Sequence, residues 1–199
     1  MNTPAHAVLN LALLERGASR WLGGWVVLGA IGPDLPNALF FAGHRLAGMS
    51  TKTIYAEVYG QPMWQAFLAP SHSFLVVALI VLLARWRRHA GATALALSMA
   101  VHLVADLLTH GTDAHPHLWP LSEARFVSPI SYWDVAAGAR WFVPAELAAV
   151  VVAAVVAAKR APSPDASASR PWWRLPLVIG SCAWLIAAYA MGWAFWGSS

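Results

Sequence analysis

Residues 91–109 read GATALALSMAVHLVADLLT, a nearly unbroken run of apolar and small residues in which His102 and Asp106 stand four positions apart. A helix rises about 1.5 Å per residue, so the run approaches the roughly 20 residues needed to cross about 30 Å of hydrocarbon. Comparable runs occupy 21–42, 65–84, 143–158 and 175–196. The last is the cleanest. The first is interrupted by Gly32-Pro33-Asp34-Leu35-Pro36, and the run 143–158 is short and carries Glu146. Across the 199 residues 59% are apolar and 11% charged, and the mean hydropathy is +0.55. A soluble domain of this length could not hide so much apolar surface. The expected fold is therefore all-α: a polytopic membrane helix bundle, residues 1–199 forming one domain with about four or five transmembrane helices.

Ahead of these runs, Thr3 and Pro4 read as the N-cap and first position of a short helix ending near Glu15. It is too short to span alone, which makes it re-entrant or packed inside the bundle. No basic region precedes it, and no cleaved signal peptide is expected. Cys182 is the lone cysteine, which excludes an internal disulfide and a thiolate metal cluster.

Threading the runs in alternation puts Arg16, Arg20, Arg85, Arg87, Arg88, Lys159, Arg160, Arg170 and Arg174 on one side. Arg45, Lys52, Arg125 and Arg140 fall on the other. By the positive-inside rule the first set faces the cytoplasm, and the net charge of +4 is a topology signal, not a nucleic-acid footprint. The loop 110–142, rich in His and Trp, then faces outward, and 159–174 is a cytoplasmic linker. Most of the 12 Trp residues, Trp172-Trp173 among them, suit interfacial belts.

An ionisable side chain inside a membrane costs on the order of 3 kcal/mol or more and so needs a partner or a purpose. His6, Asp34, His72, His102 and Asp106 occupy four different segments. Counted along each helix from its cytoplasmic end, all five fall at about 15 to 22 Å. Spacing of four sets His102, Asp106 and His110 on one helical face, with Gly111 as the stop. An imidazole and a carboxylate one turn apart can share a Zn²⁺. The competing reading is a polar seam that merely joins helices. Asp34 can alternatively cap a helix beginning at Pro36, and Glu146 is read as a cap in the first turn of its span. In the loop, Asp113 and His115 join the candidate ligands, and Asp134 belongs to a lid or a second metal. A loop histidine is ordinarily solvated, so His117 carries less weight, as do His44 and His89.

At these residues the chain resembles the YdjM-like membrane-bound metal-dependent hydrolases of the bacterial inner membrane. The resemblance covers roughly 4–120 and rests on His6, Pro33-Asp34, His72-Ser73, His102-x-x-x-Asp106 and Trp119-Pro120. It implies a multi-pass inner-membrane protein with a divalent metal, zinc by preference. Where that family carries a further histidine and a further acid, this chain has Phe67 and Pro36, which leaves His110, Asp113 or His115 to compensate. Residues 110–134 are similar to a sub-group of bacterial membrane proteins that carries no activity with it. A more distant similarity, in the order of His and Asp on helices, is to zinc-dependent phospholipase C.

Two classes of function follow. The first is a metal-dependent hydrolase acting on a membrane lipid or another amphipathic phosphoester at the outer half of the membrane, with Asp106 or Asp34 as general base. Ser73 beside His72 lacks a visible triad and reads as a packing residue. The second is a non-enzymatic metal- or proton-binding protein: a transporter, sensor or structural subunit. Against a transporter, the chain is small and has no inverted repeat, an objection a homo-oligomer could answer. Haem held by His72 and His102 ranks below both.

Overall fold

Prolines and glycines set the helix ends, and those ends decide which polar groups meet. The protein, as a computed structural model, is described over residues 1–15, 22–159 and 174–196. In order the helices are α1 (Thr3–Leu14), α2 (Leu22–Ile31), α3 (Leu35–Leu46), α4 (Thr51–Thr53), α5 (Pro62–Leu68), α6 (Phe74–Trp86), α7 (Ala90–Thr109), α8 (Ala139–Lys159) and α9 (Arg174–Trp196). A π-turn at Ile54–Val58 and 3-10 turns at Ala69–His72 and Val135–Ala137 fill short connections. Among the described residues there is no strand. Three helical stretches, Pro62–Trp86, Ala90–Thr109 and Ala139–Ala157, are long and apolar enough to cross a membrane. A fourth arises if α2 and α3, bent by 56°, count as one span. In α9 the apolar stretch Pro176–Ala187 is shorter, although the helix itself runs 23 residues. The expected linker between α8 and α9, with Arg160, Arg170 and Trp172-Trp173, lies outside the described residues, as do Arg16 and Arg20.

The short first helix is packed inside the bundle. It touches α2, α7, α8 and α9, and Ala5, Val8 and Ala12 form an apolar core with Val150, Ala153 and Leu185. Its cap is Asn2, one residue earlier than the sequence suggests, because the Thr3 hydroxyl is committed to Asp34. Glu146 is likewise no cap. Helix α8 begins at Ala139, which leaves Glu146 buried within it, and its two carboxylate oxygens accept from the Asn2 amide N–H and side chain at 2.7 Å each. A buried carboxylate thus anchors the start of α1, as the cost of an unpaired charge requires.

Helix α2 runs alongside α7 in the same direction. Trp25 lies by Gly91, Gly29 by Leu95 and Ser98, and Ala30 by His102. The approach is so close that a Cβ on Gly29 would overlap the Leu95 carbonyl oxygen. Small residues permit such contacts between helices in lipid, where close packing and interhelical hydrogen bonds replace the hydrophobic drive. A polar ladder reinforces it: Asn10 Nδ2 donates to Ser98 Oγ and to the Ser98 carbonyl at 2.8 Å each, and Ser98 Oγ donates to the Val26 carbonyl at 2.6 Å.

Helices α6 and α7 form a hairpin through Arg87, Arg88 and His89, with Arg88 in the left-handed region at φ 53°. His89 caps α7, its Nδ1 accepting from Ala92 N–H at 2.9 Å. Arg85, Arg87 and Arg88 therefore sit at the end of the hairpin remote from the loop that joins α7 to α8. We expect Gly29→Ala to destabilise the protein by about 1–3 kcal/mol by forcing α2 and α7 apart. Gly24→Ala, where a Cβ would meet nothing within 4 Å, should be tolerated. Thermal unfolding of both variants in detergent checks this, and equal melting temperatures would count against the close α2–α7 contact.

Candidate metal centre

Two helix breaks, the short helix α1 and the unbroken helix α7 deliver side chains to one buried point. Gly32-Pro33-Asp34 ends α2, because Pro cannot continue the hydrogen-bond ladder, and leaves Asp34 at the bend. Pro70 interrupts the next span in the same way: α5 passes into the 3-10 turn that ends at His72, and Ser73 then caps α6 by accepting from Val76 N–H at 3.3 Å. His102 and Asp106 project from unbroken α7, and His6 comes from α1. The last turn of α7 leaves carbonyls without helical partners, and the following loop satisfies them. Ser128 Oγ donates to the Leu108 carbonyl at 2.7 Å, Tyr132 N–H to Thr109 at 3.1 Å, and Ser128 N–H to His110 at 2.9 Å. The loop is thereby folded inward, and His110, His115 and His117 are all buried.

In the first group, Asp34, His72, His102 and Asp106 each bring one ligand atom within 4.8 Å of the others. His102 Nε2 lies 2.9 Å from Asp106 Oδ2 and 3.5 Å from Asp34 Oδ1. His72 Nε2 lies 3.5 Å from the same two oxygens. The tautomers follow from the other ring nitrogens. His102 Nδ1 donates to the Ala30 carbonyl at 2.6 Å, since a carbonyl only accepts. His72 Nδ1 meets Ser71 Oγ at 3.0 Å, and that hydroxyl already donates to the Leu68 carbonyl at 2.9 Å, so the imidazole must donate. With Nδ1 donating in both rings, the Nε2 of each imidazole in its neutral form is a bare lone pair, and in both rings it faces carboxylate oxygens. His72 Nε2, His102 Nε2 and Asp106 Oδ2 are buried without hydrogen-bond geometry. Acceptors facing acceptors repel one another unless a cation joins them, and a divalent ion with N and O ligands fits that donor set.

Asp106 is fully buried, and its other oxygen, Oδ1, takes up charge from elsewhere. It accepts from His6 Nε2 and from the Met1 ammonium, each at 3.0 Å, and His110 Nε2 lies 3.3 Å away. The His6 ring stacks on His102 at 3.7 Å between centroids. His6 thus orients Asp106 and supports His102, and it does not join the four-residue group. Asp34 side-chain exposure is 20%, which makes it the member through which the group reaches the surface.

Asp106, His110 and His115 form a second convergent group. His115 stacks on His72 at 3.8 Å. Burial, with His72 and His110 beside it, holds the His115 ring well below its ordinary pKa, leaving it neutral. Asp113, expected as a ligand, stands behind His110 instead, its Oδ2 3.1 Å from Nδ1. Burial alone would raise the Asp113 pKa, but the His110 ring holds the carboxyl below its usual range. His110 lies just past the end of α7, as its cap residue, and meets Asp106 from extended backbone.

Several contributors were not read from the sequence. Thr3 donates to Asp34, and Ser71 and the Ala30 carbonyl set the two tautomers. His117 is buried, where sequence assigns it to solvent, because its Nδ1 donates to the His72 carbonyl at 2.9 Å. Asp134 caps the turn at Val135–Ala137, accepting from Ala136 N–H at 2.9 Å. Ser73 Oγ donates to the Trp119 carbonyl and caps α6, a packing role. His44 donates to the Phe40 carbonyl at 2.8 Å, away from the centre.

The two carboxylates should respond differently when metal is withheld. In chelator-treated protein, Asp106→Ala strands the Met1 ammonium, His6 and His110, and we expect a loss of about 3 kcal/mol or more. Asp34→Ala, which leaves only Thr3 without its acceptor, should cost about 1 kcal/mol. Thermal unfolding in detergent separates the two, and an equal loss would contradict this division. Comparisons with protein-family models, curated proteins and solved structures returned no match, so the reading of the centre rests on its own geometry.

Proposed function

We propose that the protein is a membrane-embedded metal-dependent hydrolase of the bacterial inner membrane, whose centre is formed by Asp34, His72, His102 and Asp106. The substrate class is a lipid or another amphipathic phosphoester, approached from the outer half of the membrane. One observation carries the reading: two imidazole Nε2 atoms, each on a ring whose Nδ1 is engaged from behind, converge with two carboxylates in a buried place without hydrogen-bond geometry among them. A purely structural seam would pair donors with acceptors, as Asn10 and Ser98 do lower in the same bundle.

A divalent ion held there would supply Lewis acidity and a water of lowered pKa. The chain's own groups do the rest. Ser71 and the Ala30 carbonyl hold His72 and His102 in the ligating tautomer, the role that outer partners play in metal sites. His6 and the Met1 ammonium draw on Asp106 Oδ1, which leaves Oδ2 for the ion. Asp34, partly exposed and bonded to the Thr3 hydroxyl, is the carboxylate best placed to accept a proton from an entering water. Exposed Leu39 on α3, and Met63 and Phe67 on α5, which packs against α3, offer an apolar surface suited to an acyl chain.

A second reading keeps the same polar cluster without catalysis. His102 and Asp106, 2.9 Å apart, would form an imidazolium–carboxylate pair, and the cluster would carry protons. Metal content by inductively coupled plasma mass spectrometry on detergent-purified protein separates the two, followed by assays on a chromogenic phosphodiester and a short-chain phospholipid. We expect bound zinc or another transition metal, with turnover that falls about a hundredfold or more in His102→Ala and Asp34→Ala, since even outer-shell changes cost 10–100-fold. Metal without turnover of either substrate would favour a binding role. A folded protein that takes up no metal after resupply would sink the hydrolase reading.

A further inference from the structure

We propose that the centre is binuclear: a second divalent cation is held by Asp106, His110 and His115, and the Asp106 carboxylate bridges it to the first. This inference rests on the metal reading above and adds to it the number of ions and a reason for a phosphoester over a carboxylic ester.

The two oxygens of Asp106 serve different neighbours. Oδ2 faces His102 Nε2 and His72 Nε2 at 2.9 and 3.5 Å, whereas Oδ1 faces His110 Nε2 at 3.3 Å. Asp106 is the one residue common to both convergent groups, and all three members of the second are buried. The rings of the two groups are interleaved: His115 lies on His72 at 3.8 Å, and the His110 and His115 centroids are 5.2 Å apart. Behind His110, Asp113 Oδ2 stands 3.1 Å from Nδ1, an ion-pair contact on the side of the ring away from the Nε2 that faces Asp106. Four imidazoles in a chain of ring contacts, together with the Asp34 and Asp106 carboxylates, are more ligand than a single tetrahedral ion can use.

Positive charge is already called for on the Oδ1 side. The Met1 ammonium sits 3.0 Å from Oδ1 and 2.7 Å from Thr109 Oγ1, and His6 donates to the same oxygen. A second ion at this position competes with the ammonium for Oδ1. It also sets the chemistry of the ligand: paired cations about 3.5–4 Å apart match the oxygens of a phosphoryl group in line for displacement. A phosphoester fits that requirement better than a carboxylic ester, which offers one carbonyl oxygen. Tyr132, whose ring lies 4.9 Å from His110, forms part of the wall beside this second position.

The test uses the full chain in detergent, loaded with Zn²⁺, freed of loose metal and assayed for metal per chain, in wild type, His110→Ala and His115→Ala. In parallel, wild type is loaded with Mn²⁺ and examined by electron paramagnetic resonance. We expect about two ions per chain in wild type and about one in either variant, with an exchange-coupled Mn²⁺ spectrum. About one ion per chain in wild type, unchanged in His115→Ala, overturns the second site and leaves the first intact. Two ions with the hyperfine sextet of isolated Mn²⁺ overturn the bridge. No ion in folded wild type removes both this inference and the metal reading beneath it. Should the variants fail to fold, the wild-type stoichiometry and spectrum still decide.

Discussion

A carboxylate with no surface exposure, set in the middle of an apolar helix bundle, is the constraint around which this protein is arranged. Burying an unpaired Asp106 would cost several kcal/mol, a large fraction of what a folded chain of this size has in hand. The chain meets that demand from all sides. His102 lies one turn below on the same helix, His6 and the Met1 ammonium arrive from α1, His72 from the turn before α6, and His110 from the end of α7. His102 comes from within α7, but the arrivals from the start of α1, the turn before α6 and the end of α7 each need a helix end near that depth. The bend at Asp34, the interruption at Pro70 and the inward loop after α7 are different local devices with one outcome.

The supporting contacts extend this logic outward. Glu146 fixes Asn2, which fixes the start of α1 and so the height of Thr3 and His6. Asn10, Ser98 and Val26 hold α1, α7 and α2 in register one turn below the site. Gly29 lets α2 lie close enough to α7 for the Ala30 carbonyl to reach His102. In lipid, such polar links and small-residue contacts do the joining that the hydrophobic effect does in water. The same contacts that hold the bundle therefore set the tautomers of its histidines.

Much of this was legible in the chain itself. The spacing of His102 and Asp106 on an apolar run, Pro33-Asp34 at a break, and a histidine in a helix too short to span all carry a physical cost that sequence alone exposes. Helix depth, counted in residues, was enough to bring His6, Asp34, His72 and His102 to the height of Asp106. Less was legible where the outcome depends on side-chain direction. The split of His6 from the ligating four, and of Asp113 from His115, depends on which ring nitrogen faces inward. The burial of His117 depends on backbone hydrogen bonds between the loop and the last carbonyls of α7, to which residue type offers no guide. Glu146 was misread because α8 begins before its apolar run does, so a position that looks like a first turn lies within the helix.

The central claim is that the bare Nε2 lone pairs of His72 and His102 share a metal ion with Asp34 and Asp106. X-ray absorption at the zinc edge, on detergent-purified protein carrying zinc, tests it most directly. The account predicts a first shell of nitrogen and oxygen at about 2.0–2.2 Å without sulfur, together with the outer scattering of at least two imidazole rings. A shell of oxygen alone, with no imidazole scattering, would contradict it.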